Sequence, residues 1–522
     1  MTGATRRVYI VSDLHLGGAQ AAAGERGFQI CTQTAALAEL IDRLAARNPD
    51  NGGEELVIAG DFVDFLAESD GTGENGDPVW KALREDDAVA EQLLHTVAMR
   101  SPDVFAALRR FSARGHTLTI LLGNHDIELC YPRVRQALKN LLGVPSHVGL
   151  RFIYDGEAYA VGDALIEHGN RYDGWNAIDY DALRRVCSLK SRGQAIPPSL
   201  RFPAPAGSQL VAEVMNPVKR SHPFIDLLKP ENTAALPLLL ALEPGARSQI
   251  AKLAKLAISA GELRLSKPAL PTRSGDISAH VPNVRGPQPD GELGFRSPMS
   301  DGEAELLAML GESLGEAEVS PFLSQIGGAP STPRDMAFVT RGGERGDIAA
   351  RPRGTDPAPG RDSKWSGGLS WAKLLLTGGG APESRLKALH KALRAFCDPS
   401  LFAIDKSPKG EPLFEAAKEL ARISPFRYIV MGHTHLARNL PLDGGGRYLN
   451  SGTWADLMRV PDEVFADDPQ VSAAALQQLV ADMADRRYDR LIVRRPTYVR
   501  LELAGDQVVE ASVETYQSGA PL

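Results

Sequence analysis

The stretch "VYIVSDLHLGG", residues 8–18, decides how this chain is read. Val8, Tyr9, Ile10 and Val11 form an apolar, β-favouring run that reads as a buried strand. The run ends in Asp13 and His15, and residues two apart in an extended chain point the same way. A core strand that aims a carboxylate and an imidazole at one spot is serving a site as well as a core.

The same ending recurs along the chain. "ELVIAGD" (55–61) closes on Asp61, and "TLTILLGNHD" (117–126) closes on Asn124, His125 and Asp126. "RFIYDGEAYAVGDALIEHGN" (151–170) closes on His168 and Asn170, and "FRYIVMGHTH" (426–435) closes on His433 and His435. Asp155-Gly156 and Gly162-Asp163 inside the third of these runs read as hairpin turns. Helical periodicity over 28–47 and across 79–114 separates the first three strands, which predicts parallel pairing with helical crossovers. Sites in such sheets form outside the carboxyl ends of the strands. A mixed Asp, Asn and His donor set without Cys suits Mn²⁺, Fe or Zn²⁺ rather than Ca²⁺ or a thiolate site.

The bulk numbers set the limits. The chain has 522 residues, enough for two to four domains or one domain with a large insertion. A hydrophobic content of 43% with 24% charged residues fits a globular protein, and a net charge of −7 provides no global field for nucleic acid. Cys31, Cys130, Cys187 and Cys397 are far apart with no C-x-x-C pair, which argues against a disulfide framework or a structural zinc site. A cytoplasmic location follows as the simple expectation, since the first strand begins too early for a signal peptide. The most apolar run, 234–246, is too short to span a bilayer.

Strand patterning stops after about residue 177 and returns near 426. Residues 177–265 read as helices with Pro-rich breaks, 302–317 as a short helix, and 266–300 and 327–368 as flexible segments rich in Gly, Pro, Arg and Ser. The economical division is a discontinuous core, 1–185 and 405–522, interrupted by a mainly helical cap at 186–404. "PFIDLLKPENTAALPLLLALEP" (223–244) is unusually apolar and reads as the cap's own core, with a partner surface or peripheral membrane contact left open. "RYLNSGTW" (447–454) and a hairpin over 497–516 close the strand pattern.

"SDLHLGG", "GDFVDF", "GNHD", "EHGNRYD" and "GHTH", in that order, resemble the motif set of calcineurin-like metallophosphoesterases. The resemblance implies a β-sandwich flanked by helices, carrying a dinuclear metal centre. Asp13, His15, Asp61 and His435 would hold one divalent ion; Asp61 would bridge to a second held by Asn124, His168 and His433. His125 would sit beside the metals as acid or phosphoryl-charge stabiliser, with Asp126 orienting its ring. Asp64 is a candidate for holding ligands in orientation; Asn170 and Arg171 are candidates for substrate contact. The implied activity is hydrolysis of phosphoester or pyrophosphate bonds, a metal-bridging hydroxide attacking phosphorus in line, with manganese as the expected metal and Fe or Zn²⁺ as alternatives.

A narrower likeness concerns the substrate. "HGNRYDGWNAIDYDALRRV" (168–186), leading from the metal histidine into a helical insertion, is similar to bacterial UDP-2,3-diacylglucosamine hydrolases, whose cap covers a lipid-bearing substrate. Those enzymes usually carry Arg where this chain has His125, and they are about half its length. The substrate expectation is therefore a small or lipid-linked phosphorylated molecule. A nuclease or cyclic-nucleotide phosphodiesterase using the same centre is the alternative. His95 and His116 are expected on surfaces, Lys219 with "RSHP" on a solvated face, and Trp454 and Asp456 in packing roles.

Overall fold

A computed structural model of the protein describes residues 6–19, 28–47, 54–73, 75–143, 150–174, 176–220, 222–228, 386–387, 389–390, 393, 399–407 and 411–520. The flexible segments expected at 266–300 and 327–368, the helix at 302–317 and the apolar run from 229 onward lie outside the described residues.

Two sheets stack face to face. The first contains β1 (Arg6–Val11), β2 (Glu54–Ala59), β3 (Thr117–Leu121) and β4 (Leu150–Ile153), all parallel. Beyond β1 its order continues through β12 (Thr497–Ala504) and β13 (Gln507–Thr515), an antiparallel hairpin. The second sheet has the order β5 (Tyr159–Val161), β6 (Ala164–Ile166), β7 (Tyr428–Met431), β9 (Arg447–Asn450), β8 (Arg438–Pro441). Its centre, β6–β7–β9, is parallel. A short pair, β10 (Leu457–Met458) with β11 (Ile492–Val493), stands apart.

Side-chain alternation explains the layers. Val8 and Ile10 of β1, with Val57 and Ala59 of β2, face the second sheet and pack with Val161, Ile166, Val430 and Leu449. The intervening Tyr9, Val11, Leu56 and Ile58 face outward and are buried under helices instead. Each fully buried aliphatic side chain of this kind contributes about 1.5–3 kcal/mol over its exposed state. The covering helices are α1 (Thr34–Ala45), α2 (Asp87–Arg100), α3 (Pro102–Ala113), α4 (Pro132–Leu142) and α5 (Tyr180–Ser191). Across the molecule Ile429 and Met431 alternate outward beneath Leu413, Ala416 and Ala417, one face of a helix over Pro412–Ile423. The result is a helix–sheet–sheet–helix sandwich.

Local chemistry corrects several expectations. The helical region expected at 79–114 begins only at Asp87 and is two helices, because Pro102 has no amide proton to continue a helix and starts α3 instead. Of the two turns expected within 151–170, Gly162-Asp163 makes a hairpin, joining β5 to β6. Asp155-Gly156 instead carries the chain from β4 in the first sheet to β5 in the second, since β4 is already paired to β3. His116 is buried, its Nδ1 accepting the Glu54 amide at 3.1 Å and its ring stacked on Phe111. Lys219 is also buried: it pairs with Asp226 and donates to the Phe28 carbonyl at 3.2 Å. Lys219 ends α7 (Asn216–Lys219), just after α6 (Ala206–Leu210) in the described start of the insertion. Trp454 is fully buried and donates to the Thr497 carbonyl at 3.1 Å. Among the described residues no helix is long and apolar enough to cross a membrane.

Candidate metal centre

Parallel strands end at a common edge, so the turns after β1, β2 and β3 lie side by side. The Asp13 amide donates to the Gly60 carbonyl at 3.2 Å, and the His15 amide to the Asp61 carbonyl at 2.9 Å. The turns after β6 and β7 are joined likewise, the Gly432 amide donating to the His168 carbonyl at 2.9 Å. The two sheets meet at this edge through Asp13, whose carboxylate accepts the His433 amide at 2.9 Å.

Close approach explains two motif glycines. A Cβ on Gly123 would collide with the Asp61 carboxylate, and one on Gly432 with Ser12 and Asp13. The turns also impose an unusual backbone. Asp13, His15, Asp61, His433 and His435 all have positive φ, between 44° and 69°. Among the described residues only Arg486 shares this with them outside glycine. Such conformations cost on the order of 1–3 kcal/mol each and concentrate where function demands them.

Three clusters of metal-type donors result, each with atoms within 4.8 Å of one another: Asp13, His15 and His435; His15, Asp61 and His125; Asp61, His168 and His433. His15 Nε2 lies 3.0 Å from His435 Nε2 and 3.7 Å from Asp61 Oδ2; His435 Nε2 is 3.4 Å from Asp13 Oδ1. His168 Nε2 is 3.2 Å from both Asp61 Oδ2 and Asn124 Oδ1. All seven residues expected as ligands therefore converge.

The donor set fits divalent cations. His168 Nδ1 faces the Ala59 carbonyl at 2.8 Å, so its proton belongs there and Nε2 turns a lone pair toward two oxygens. Three facing acceptors need either an extra proton or a cation between them. Without a cation the proton wins: burial disfavours the imidazolium, but Asp61 and Asp13 push His168 up to about 9. Burial likewise opposes charge on Asp61, yet His168, His125 and His15 hold its carboxyl well below the usual carboxylate range.

Asp64 holds a ligand ring as expected, and it rather than Asp126 also orients His125. His125 was expected to be oriented by Asp126, but its Nδ1 lies 3.1 Å from Asp64 Oδ1. Asp64 Oδ2 also holds His15 Nδ1 at 3.2 Å, and these two rings keep Asp64 ionised against its burial. Asp126 turns back instead and accepts the amides of Phe62 at 2.8 Å and Gly123 at 2.7 Å. Burial, then the charge of Asp61, pushes Asp126 up to about 7. It clamps the turns that carry Asp61 and Asn124.

The substrate candidates also differ from expectation. Arg171 is committed to Glu167 at 3.2 Å and to the Gly156 carbonyl, with its guanidinium over the Tyr180 ring. Asn170 is buried and donates to the Asn176 carbonyl at 2.9 Å. Asp173, which the sequence reading passed over, is 3.2 Å from His433 Nε2 and accepts from Asn176 at 2.7 Å. Its signal was its place as the acidic residue closing "EHGNRYD".

Motif order, strand-end placement and converging donors agree with one comparison. Residues 6–194 match the family model for calcineurin-like phosphoesterases. Phosphoesterases of this family are metal-dependent hydrolases, which implies a phosphorylated substrate. The matched segment contains Asp13, His15, Asp61, Asn124, His125 and His168; His433 and His435 lie beyond it. No curated protein matches the chain.

Proposed function

We propose that the protein hydrolyses phosphoester or pyrophosphate bonds at a centre of two divalent ions, manganese being the expected metal. Asp13, His15, Asp61 and His435 would hold one ion, and Asp61, Asn124, His168 and His433 the other. The observation that carries the reading is the position of Asp61, whose carboxylate belongs to a donor cluster on each side. Two such ions about 3.5–4 Å apart would supply charge neutralisation for an in-line displacement and an acidified water.

The chain's own residues complete the chemistry. His125 is part-exposed at the edge of the clusters, so its Nε2 can meet a phosphoryl oxygen or deliver a proton to the leaving oxygen. Asp64 fixes the rings of His125 and His15 together. The side of the centre formed by His125, His433, His435 and Asp173 is its solvent-facing side, with side-chain exposures of 20%, 10%, 10% and 27%. Substrate approaches from there. A small or lipid-linked phosphorylated molecule is favoured by the net charge of −7, which offers no attraction for polynucleotide.

The test is metal-depleted protein reloaded with Mn²⁺ and assayed on a nucleoside-diphosphate sugar, a nitrophenyl monoester, bis(nitrophenyl) phosphate and single-stranded DNA, with metal content measured in parallel. The reading expects two ions per chain and turnover of at least one of the first three. Preferred, salt-sensitive turnover of DNA would transfer the reading to a nuclease, and fewer than one ion per chain would end it.

A further inference from the structure

The phosphoesterase centre makes no use of Cys130 and Cys187, whose sulfurs lie 3.3 Å apart in the core. We propose that these two residues are a redox-active dithiol, oxidised to an intramolecular disulfide by a small hydroperoxide. A disulfide bond is about 2.05 Å long, so an approach of about 1.3 Å forms it. Cys130 closes the turn Ile127–Cys130 directly after Asp126, and Cys187 lies on α5. The bond would tie the segment behind His125 to the helix that leads toward the insertion.

The surroundings separate the two thiols. Arg135 donates to the Cys130 carbonyl, and Lys190 lies over the Tyr131 ring at 4.4 Å. Contact with Cys130, then the charges of Arg135 and Lys190, lowers Cys187 against the effect of burial. Burial pushes Cys130 the other way, and the nearby Glu128 carboxylate adds to that. The Cys130 carbonyl, 3.4 Å from the Cys187 sulfur, favours the neutral thiol there and works against the cations. Of the two cysteines only Cys187 keeps any exposure, 7% against none for Cys130, which makes Cys187 the attacking sulfur and Cys130 the resolving one. So small an exposure suits an oxidant of the size of hydrogen peroxide.

The chemistry balances. The Cys187 thiolate attacks one peroxide oxygen; the O–O bond breaks, the departing hydroxide takes a proton to become water, and Cys187 becomes a sulfenic acid. Cys130 then loses its proton and attacks the Cys187 sulfur; the S–S bond forms, the S–O bond breaks, and hydroxide leaves with that proton as a second water. Two thiols have given two electrons to one peroxide.

The experiment treats the reduced full-length chain with hydrogen peroxide, alkylates it without denaturant, then digests and weighs the peptides. The expected result is a cross-linked peptide pair containing Cys130 and Cys187, two hydrogens lighter than the free pair and separated again by a phosphine. Cys31, buried and pushed up to about 12, stays unoxidised. In C130S, dimedone should label Cys187; in C187S, Cys130 should remain a free thiol. The wild-type cross-link needs no variant to fold. Recovery of Cys130 and Cys187 as unlinked thiols after peroxide, or dimedone labelling of Cys130 in place of Cys187, overturns the proposal.

Discussion

The two sheets deliver different donors to one edge. The first contributes Asp13, His15, Asp61 and Asn124, all buried. The second contributes only imidazoles: His168, buried, and His433 and His435 at the solvent-facing rim. The first sheet's turns alone gather His15, Asp61 and His125, but the other two clusters draw on both sheets. The cluster at Asp13 needs His435, and the cluster at Asp61 needs His168 and His433. The centre is therefore a property of the sandwich rather than of either sheet, and residues 428–435 complete what the matched segment 6–194 begins.

The largest expected effect tests Asp61, which the proposed function places between the two ions. Asp61→Asn should lose both ions in elemental analysis and lower kcat by more than about 10⁴-fold, the upper range for a single acid–base group. His433→Ala should instead lose only one ion; loss of both would break the division drawn between the clusters. His125→Ala comes next. It should lower kcat by roughly 10²–10⁴-fold while metal content stays at the wild-type level.

Asp64→Asn probes the support beneath the first sheet's rings. A drop of about 10–100-fold in metal affinity or activity is expected, by metal titration and kcat/KM. Asp173→Asn, on the exposed rim beside His433, should fall at or below the lower end of that range, with the loss confined to one ion. The smallest effect lies far from the edge. Asp86 caps α2 by accepting the Ala88 amide at 2.8 Å, so Asp86→Ala should cost about 1 kcal/mol in chemical denaturation and leave kcat unchanged.

Much of this arrangement is legible in the sequence because it rests on short-range rules. Val8 to Val11 alternate between two cores, and the donors follow at the strand ends where a parallel sheet must place them. What escapes such reading depends on tertiary direction. Asp126 adjoins His125 in the chain, but adjacent residues do not face each other, and the turn after Gly123 folds its carboxylate onto backbone amides. Asp64 reaches both rings from the turn after β2. His116 gave no local sign of burial, because its cover is Phe111 and the start of β2. Arg171 offered a cation near a ligand, and only the fold reveals that Glu167 already claims it.

The left-handed backbone at Asp13, His15, Asp61, His433 and His435 restricts which amino acids these positions tolerate. Asparagine enters that conformation readily, glycine freely, alanine reluctantly and valine or isoleucine hardly at all. Alanine scanning across the centre would therefore mix a main-chain penalty with the missing donor and exaggerate the damage. Paired asparagine and glycine replacements separate the two costs.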